Sequence, residues 1–337
     1  MSGDSSALRW LVVGSSGFVG TAIVAQLRER GLVVDTLSAP RLSSEATTAQ
    51  ALIDEAHAIC DSASASAFRL LCSAFANVDV VVNAAGLATP GDSESPSLTG
   101  ANALLPPVIA LAAKTAGVRR FVHVSSASVQ GHRKFIDETT SRAPFSAYSR
   151  SKALGEEALE ELARDSAIVD GASGPGKTSW VSVRATSVQG PSRPTTLSLV
   201  KVASSPLSSV AAPGTAPTPV SSINALAWFV VEAGQYPGTV PPLVLQPWEG
   251  LSVTDVLAAA GGRSPLRLPP WLCHTVLRCG YLASGLIKER LHGPIRRVEL
   301  MWFGQVQAPG WAETVGLSAE QSVRTVLEQA RTPRPSA

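Results

Sequence analysis

A tyrosine and a lysine stand four residues apart in Tyr148-Ser149-Arg150-Ser151-Lys152, in a chain with only three tyrosines. On a helix that spacing puts both side chains on one face, one turn apart. A phenol of ordinary pKa, near 10, is a poor base at neutral pH, but an adjacent ammonium favours the phenolate. The pair therefore has the makings of a proton-transfer centre. An incidental Tyr/Lys pair on a helix is the plainer alternative, and the scarcity of tyrosine weighs against it. Further hydroxyls occur in Ser125-Ser126-Ala127-Ser128, directly after the strand-like Phe121-Val122-His123-Val124. A hydroxyl at the carboxyl end of a parallel strand lies where such sheets bind ligands, and it can donate to a carbonyl or alkoxide oxygen. Serine is also ordinary turn chemistry, so each of these hydroxyls competes with a structural role.

The second chemical signal is Gly14-Ser15-Ser16-Gly17-Phe18-Val19-Gly20, between the apolar run Arg9 to Val13 and a helical pattern from Phe18 to Arg30. Strand, glycine turn and helix in that order form a dinucleotide-binding context. Gly14 permits the tight turn, Gly17 lets the backbone approach a pyrophosphate, and Gly20 lets helix and strand pack closely. Ser16, Phe18 and Val19 fall within the same cradle, at a helix N-terminus whose N–H groups favour an anion. A cationic nicotinamide would add to Lys152 in favouring the Tyr148 phenolate, and the lysine can hold ribose hydroxyls. The acid that usually binds the adenosine ribose is missing after the second strand, where Ser38-Ala39-Pro40-Arg41 stands. A missing acid with a nearby arginine favours a 2′-phosphate, so Arg41 points to NADP over NAD. The alternative is a solvated surface charge.

These residues need a scaffold. Strand-like segments at Leu32 to Leu37, Val78 to Asn83, Arg120 to Ser125 and Trp180 to Arg184 alternate with helical ones at Ala46 to Ala76, Asn102 to Ala116 and Tyr148 to Arg164. The first of these helices has a break near Cys60 to Ser66. Alternation without hairpin turns predicts an α/β fold of Rossmann type, a doubly wound parallel sheet. After Gly190 proline and serine become dense through Pro219. Helices then follow over Ser222 to Ala233, Gly250 to Ala260, Trp271 to Ile287 and Ser318 to Arg331, the last with a Ser318/Gln321 capping box, and a strand over Leu243 to Leu245. The expected division is a dinucleotide domain over residues 1–190 plus about 220–247 and a smaller substrate-binding lobe over about 191–219 and 248–331. Residues 1–6 and 332–337 are expected to fray.

Composition narrows the class. The chain has 337 residues, 45% hydrophobic and 16% charged, which is globular. A net charge of +2 gives no electrostatic case for nucleic acid or an anionic membrane. Cys60, Cys72, Cys273 and Cys279 show no metal-ligand spacing and read as reduced, mostly buried thiols of a cytoplasmic protein, with no metal. The N-terminus lacks the pattern of a signal peptide. Trp271 to Ile287 is shorter than the roughly 20 residues of a spanning helix and is interrupted by His274 and Arg278; it reads as amphipathic or buried, with a membrane-associated helix as the minor alternative. Gly171-Ala172-Ser173-Gly174-Pro175-Gly176-Lys177-Thr178 matches a P-loop pattern, but a strand follows where a helix is required, so it reads as a loop.

With these residues in place the chain resembles the extended short-chain dehydrogenase/reductases, the NAD-dependent epimerase/dehydratase family. The resemblance covers nearly the whole chain. It rests on VVGSSGFVG, on DVVVNAAG at Asp79 to Gly86, ANALLP at Ala101 to Pro106, GVRRFVHVSSASVQG at Gly117 to Gly131, PFSAYSRSKALGE at Pro144 to Glu156 and VRATSVQGP at Val183 to Pro191. It implies that Ser126, or Ser125 beside it, is the catalytic hydroxyl, Tyr148 the proton-transfer residue and Lys152 its ribose-binding helper. It implies that Asn83, Ala84, Ala85, Gly86 and Ser125 line the cofactor and that Asn102 supports the site. Thr186 and Ser187 would lie where the family's chain passes nicotinamide and substrate. A homodimer through a four-helix interface including the Tyr148 helix is common in that family.

Three positions depart from the family pattern. Gln130 replaces a frequent Tyr, Asn224 a frequent Asp, and the acid after the second strand is absent. Substrate candidates are Ser126, Ser128, Gln130, Ser187 and Arg193; with Arg263 and Arg267, Arg193 can clamp a diphosphate. The family's dehydratases place an Asp-Glu pair after the catalytic hydroxyl, where this chain has Ala127-Ser128, which argues against elimination. His132 is the nearest extra acid/base candidate and reads better as a loop histidine. What remains is NAD(P)-dependent oxidation or reduction of a sugar-like, nucleotide-sugar or bulky alcohol or ketone. Epimerisation through a transient keto intermediate is the alternative. A non-catalytic dinucleotide sensor or a vestigial scaffold would not need the Tyr/Lys pair.

Overall fold

The computed structural model of the chain describes residues 8–62, 66–87, 93–170, 177–286 and 291–332. By internal contacts the chain divides into two units: Met1–Val129, Ala147–Arg184 and Ala227–Val244 form the first, and Gln130–Ser146, Ala185–Leu226 and Leu245–Ala337 the second. The sequence expectation ran the first domain unbroken through residue 190 and began its last segment near residue 220. Gln130–Ser146 instead groups with the second unit.

The first unit is a six-stranded sheet of β1 (Arg9–Val13), β2 (Val33–Leu37), β3 (Val80–Asn83), β4 (Arg120–Ser126), β5 (Ser179–Ala185) and β6 (Leu243–Leu245), in the order β6-β5-β4-β3-β1-β2. β1 pairs in parallel with β2 and β3, and β3 with β4. The order reverses at β1: β2 lies on one side of it and β3 on the other. In open parallel sheets ligands bind at the carboxyl ends of strands where the order reverses. The central strands β3 and β4 are buried along nearly their whole length, with Val80 to Val82 and Phe121 to Val122 fully buried, because helices cover a parallel sheet on both faces. One covering layer joins Leu52, Leu71, Phe75, Val108, Ile109 and Leu159 into a single core. Arg120 extends from the start of β4 to the carbonyls of Ala233 at 2.9 Å, Tyr236 at 2.8 Å and Gly238 at 3.1 Å, which the end of the Ile223–Gln235 helix leaves without intrahelical partners.

The helix expected from Ala46 to Ala76 is two, Ala49–Asp61 and Ser66–Phe75, on either side of the foreseen break. The helix expected from Asn102 begins earlier. Pro96–Thr99 runs into a π-helical turn, Gly100–Leu104, and then into Leu105–Thr115. This is the one helical stretch among the described residues long and apolar enough to cross a membrane, and it is mostly buried in the protein. Of the P-loop-like segment, Gly171 to Gly176 lies outside the described residues; β5 follows it, and not a helix. Residues 1–6 and 333–337 also lie outside them.

The second unit holds a core of Val210, Val220, Val253, Leu257, Val323 and Leu327. The proline- and serine-rich stretch contains the helix Pro194–Ala203, which opens on its proline, and the strand Ser209–Ala211. The final helix is Val323–Arg331, not Ser318 to Arg331, and Ser318/Gln321 do not cap it. Glu249 does: its carboxylate accepts from Val323 N at 2.8 Å and from Ser222 N at 3.0 Å. A further helix, His292–Phe303, was not foreseen. Among the thiols only Cys273 is buried, and Cys279 is exposed.

Candidate active site

The dinucleotide turn leaves β1 at Gly14, whose φ of 79° is left-handed and whose N–H donates to the Leu37 carbonyl at 2.9 Å. A Cβ at Gly14 would lie 2.7 Å from the Ala85 backbone, and one at Gly20 2.2 Å from the Gly14 carbonyl oxygen. Both glycines are thus required by the protein itself. Gly17 differs. A Cβ there would meet only the Gly14 oxygen at 3.4 Å, and its φ of −75° suits any residue. Gly17 begins the Phe18–Glu29 helix without a side-chain cap, and Ser16, Gly17 and Phe18 are exposed. A small residue at an uncapped helix N-terminus with room above it fits an approaching pyrophosphate. Gly17→Ala is therefore expected to keep the apo fold within about 1 kcal/mol while weakening dinucleotide binding about tenfold or more, some 1.4 kcal/mol. Parallel urea unfolding and fluorescence titration separate the two effects.

The stretch after β3 is pinned from below. Ala84 N–H donates to the Val13 carbonyl at 3.0 Å and Ala85 N–H to Asn83 Oδ1 at 3.0 Å. The Asn83 amide then faces His123 Nδ1 at 3.2 Å. Since Asn83 Oδ1 is the acceptor for Ala85, its Nδ2 is the group that donates to His123. Burial and the Lys152 ammonium hold His123 well below the ordinary histidine pKa, so the ring is neutral with its proton on Nε2. Gly86 lies against two site residues: a Cβ there would be 2.8 Å from Asn102 Oδ1 and 3.1 Å from Lys152 Nζ.

Tyr148 sits in the first turn of the Ala147–Asp170 helix and is half-buried. One turn on, Lys152 is buried and donates to the Val124 carbonyl of β4 at 3.1 Å. Burial pushes the Lys152 ammonium down to about 8, and Glu156 opposes that shift. Between them Ser151 donates to the Tyr148 carbonyl at 2.9 Å and accepts from Asn102 Nδ2 at 3.0 Å. Asn102 also accepts from Leu87 N at 2.9 Å and donates to Leu87 O at 3.0 Å. It can do both because an amide carries a donor and an acceptor side by side, and it stands in the π turn. Gly155 lets the two helices approach: a Cβ there would lie 2.3 Å from the Asn102 carbonyl oxygen.

The two adjacent serines are separated by burial. Ser125 is buried and donates to Glu156 Oε1 at 2.6 Å. Ser126 is half-buried and shares a 2.8 Å hydrogen bond with Ser128. Ser125 is thus tied into the protein, and Ser126 is the hydroxyl better placed to meet a ligand. Glu156, which holds Ser125, and Arg184, which pairs with Glu156, were missed from sequence. Glu156 sits one turn beyond Lys152 on the same helix face, a spacing that could have found it. The Arg184 guanidinium meets Glu156 Oε2 at 2.8 Å with both side chains fully buried.

The remaining candidates belong to the second unit, apart from Arg41. Gln130 is fully buried, donating to Asp137 Oδ1 at 2.9 Å and Ser141 O at 2.9 Å and accepting from Asp137 N at 2.8 Å. Its amide is engaged within its own loop. Thr186 is buried and bonded to Ser221 at 2.9 Å and Gln246 at 3.1 Å. Ser187 is exposed and accepts from Gln189 at 3.0 Å. Arg193 donates to the Val188 carbonyl and begins the Pro194–Ala203 helix. His132 is exposed, packs edge-on against Phe145, and has its pKa lowered by burial and by Arg296. Arg41 is exposed after β2, and Asp35 pairs with Arg9 at 3.5 Å. No cluster of metal-ligating side chains occurs among the described residues.

Fold, glycine turn and Tyr/Lys face together define an NAD(P)-dependent enzyme of the extended short-chain dehydrogenase/reductase type. The chain belongs to the NAD dependent epimerase/dehydratase family, whose model matches residues 10–215. No curated protein matches the chain at a significant level. Among solved structures it is similar to the Bacillus cereus UDP-glucuronic acid 4-epimerase in complex with NAD, at 18% identity and a TM-score of 0.61 over 96% of this chain and 97% of that one. MoeE5 in complex with UDP-glucose and NAD is 17% identical, with a TM-score of 0.59 over 96% and 97% of the two chains. The human epimerase family protein SDR39U1 (isoform 2) with NADPH is 18% identical, with a TM-score of 0.59 over 96% and 99%. At these identities the likeness is one of fold.

Proposed function

We propose that this chain is an NADP-preferring oxidoreductase that interconverts an alcohol and a ketone on a sugar-like or similarly bulky small molecule. The observation that carries the reaction type is the residue pair after Ser126: Ala127 and Ser128 offer no carboxylate for elimination, while Tyr148 and Lys152 supply one proton-transfer face. Gly14, Ser16, Gly17, Phe18, Val19 and Gly20 would hold the pyrophosphate, and Asn83, Ala84, Ala85 and Gly86 would line the ring side. Lys152 would hold the ribose hydroxyls, and its charge favours the Tyr148 phenolate. The dinucleotide, when bound, accepts or supplies the hydride. Ser126 donates a hydrogen bond to the substrate oxygen, and Tyr148 takes the hydroxyl proton in oxidation and returns it in reduction.

Arg41, with no acid at the end of β2, supports the NADP preference. The human neighbour is described with NADPH, and the other two neighbours above with NAD. Titration with NADPH and NADH, followed by fluorescence, is expected to show tighter NADPH binding. Arg41→Ala should weaken it about tenfold, or 1.4 kcal/mol, with NADH unaffected. Equal affinity, or no response to the substitution, rejects the preference. A second reading is a nucleotide-sugar epimerase that oxidises, rotates and reduces its substrate; the two UDP-sugar-related neighbours favour it, and it uses the same Ser126, Tyr148 and Lys152. Preference for NADH and a dinucleotide retained through purification would shift the reading to it.

A further inference from the structure

The Pro270–Leu286 helix in the second unit carries three stripes at the same spacing. Cys273, Leu277 and Ser284 are buried and fix the helix to its unit. Trp271, Thr275 and Leu282, four and eleven residues apart, form the opposite stripe, and Trp271 is 69% and Leu282 66% exposed. His274, Arg278 and Gly285 run along its edge, all exposed. Trp271 stands outside the core, in contrast to the fully buried Trp10. Exposed leucines also occur on the chain before the helix. Leu266, 57% exposed, donates its N–H to the Ser208 carbonyl, and Leu207 beside that serine is 83% exposed.

Charge on this segment is one-sided. Residues 263–298 contain seven Lys or Arg and one acidic residue, so the rest of the chain is net acidic although the total is +2. Arg263, Arg267, Arg278 and Arg297 are exposed. The carboxylate facing this helix from the His292–Phe303 helix, Glu299, is neutralised by Arg296 at 2.8 Å and accepts from Tyr281 at 2.7 Å. The expectation of no membrane partner averaged this charge over the whole sequence.

We propose that the Trp271/Leu282 face docks on an anionic lipid surface, with Trp271, Leu282 and Leu266 entering the interface and Arg267 and Arg278 at the headgroups. Exposed tryptophan and leucine rimmed by arginine suit that boundary, where an indole has one apolar and one polar side. A second copy of the chain suits it less. A two-fold contact sets a patch against itself, which would place the arginines of one copy against those of the other.

The test is flotation of the full-length protein with vesicles of phosphatidylcholine alone or with about one-third phosphatidylglycerol, across a salt series. Binding is expected only to the anionic vesicles and should fall as salt rises. Trp271→Ser/Leu282→Ser and, separately, Arg267→Glu/Arg278→Glu should each lower it more than about tenfold. All four residues are exposed, so circular dichroism should be unchanged; Arg69→Glu/Arg164→Glu, in the first unit, should leave flotation unchanged and so exclude a general charge effect. No flotation with anionic vesicles, or flotation indifferent to Trp271→Ser/Leu282→Ser, overturns the proposal. So does a concentration-dependent dimer in sedimentation that this pair abolishes, because the face would then belong to a second copy.

Discussion

Tyr148→Phe is expected to lower kcat by about 10²- to 10⁴-fold, the usual worth of a positioned acid/base. The substitution removes one oxygen and keeps the ring, and the Tyr148 carbonyl that accepts from Ser151 is untouched. Dinucleotide affinity should stay within about twofold, because an interaction made only in the transition state lowers kcat without raising KM. The assay follows NADPH or NADH absorbance with a panel of sugar ketones, UDP-sugars and bulky alcohols, together with epimer analysis of any UDP-sugar product. Turnover that survives in the variant would remove Tyr148 from the reaction. Dinucleotide binding with no turnover on any substrate in the wild type would favour the sensor reading.

Glu156→Ala is expected to cost about 3–5 kcal/mol of stability, because it leaves the Arg184 guanidinium charged and unpaired in the interior. The carboxylate holds Arg184 through three contacts of 2.8 to 3.2 Å and Ser125 through one of 2.6 Å, and neither charged side chain reaches solvent. Glu156→Gln should be nearly as damaging: the amide can still accept from Ser125 but no longer neutralises the arginine. The pair Glu156→Met/Arg184→Met should recover much of the loss, since two apolar side chains of similar volume remove both buried charges. Urea unfolding of the four proteins measures this. A double variant that is as unstable as the sum of the singles would contradict the account. Because Ser125 precedes Ser126 and Lys152 lies one turn before Glu156, the single variants should also lose turnover in the folded fraction.

Local signals were legible because they depend on residues close in the chain. Strand, glycine turn and helix follow one another within 21 residues, Arg9–Glu29, and Tyr148 and Lys152 are set by helical period alone. The β1, β2 and β6 assignments rest on short apolar runs and match the structure to within a residue. The misplaced helix cap depended on a partner distant in sequence. Ser318/Gln321 has the pattern of a helix cap, but the cap that forms is the carboxylate of Glu249, 74 residues from Val323. The first turn of a helix accepts any acceptor in reach, and sequence spacing cannot say which one tertiary packing delivers. Gln130 is a substrate candidate in the sequence, and the structure adds that its buried amide is held by Asp137 and Ser141, because a buried amide must find partners.

The sequence by itself determined the class of chemistry: a dinucleotide turn, a tyrosine and lysine on one helix face, and serines after a strand. It did so because those features are sets of neighbours with fixed periods. Only the tertiary structure decided which serine is committed to the protein, that Gly17 alone of the three loop glycines has open space above it, and that Trp271 faces outward. Each of these is a question of what lies across from a residue, and burial and electrostatic pairing between segments far apart in the chain supply the answer.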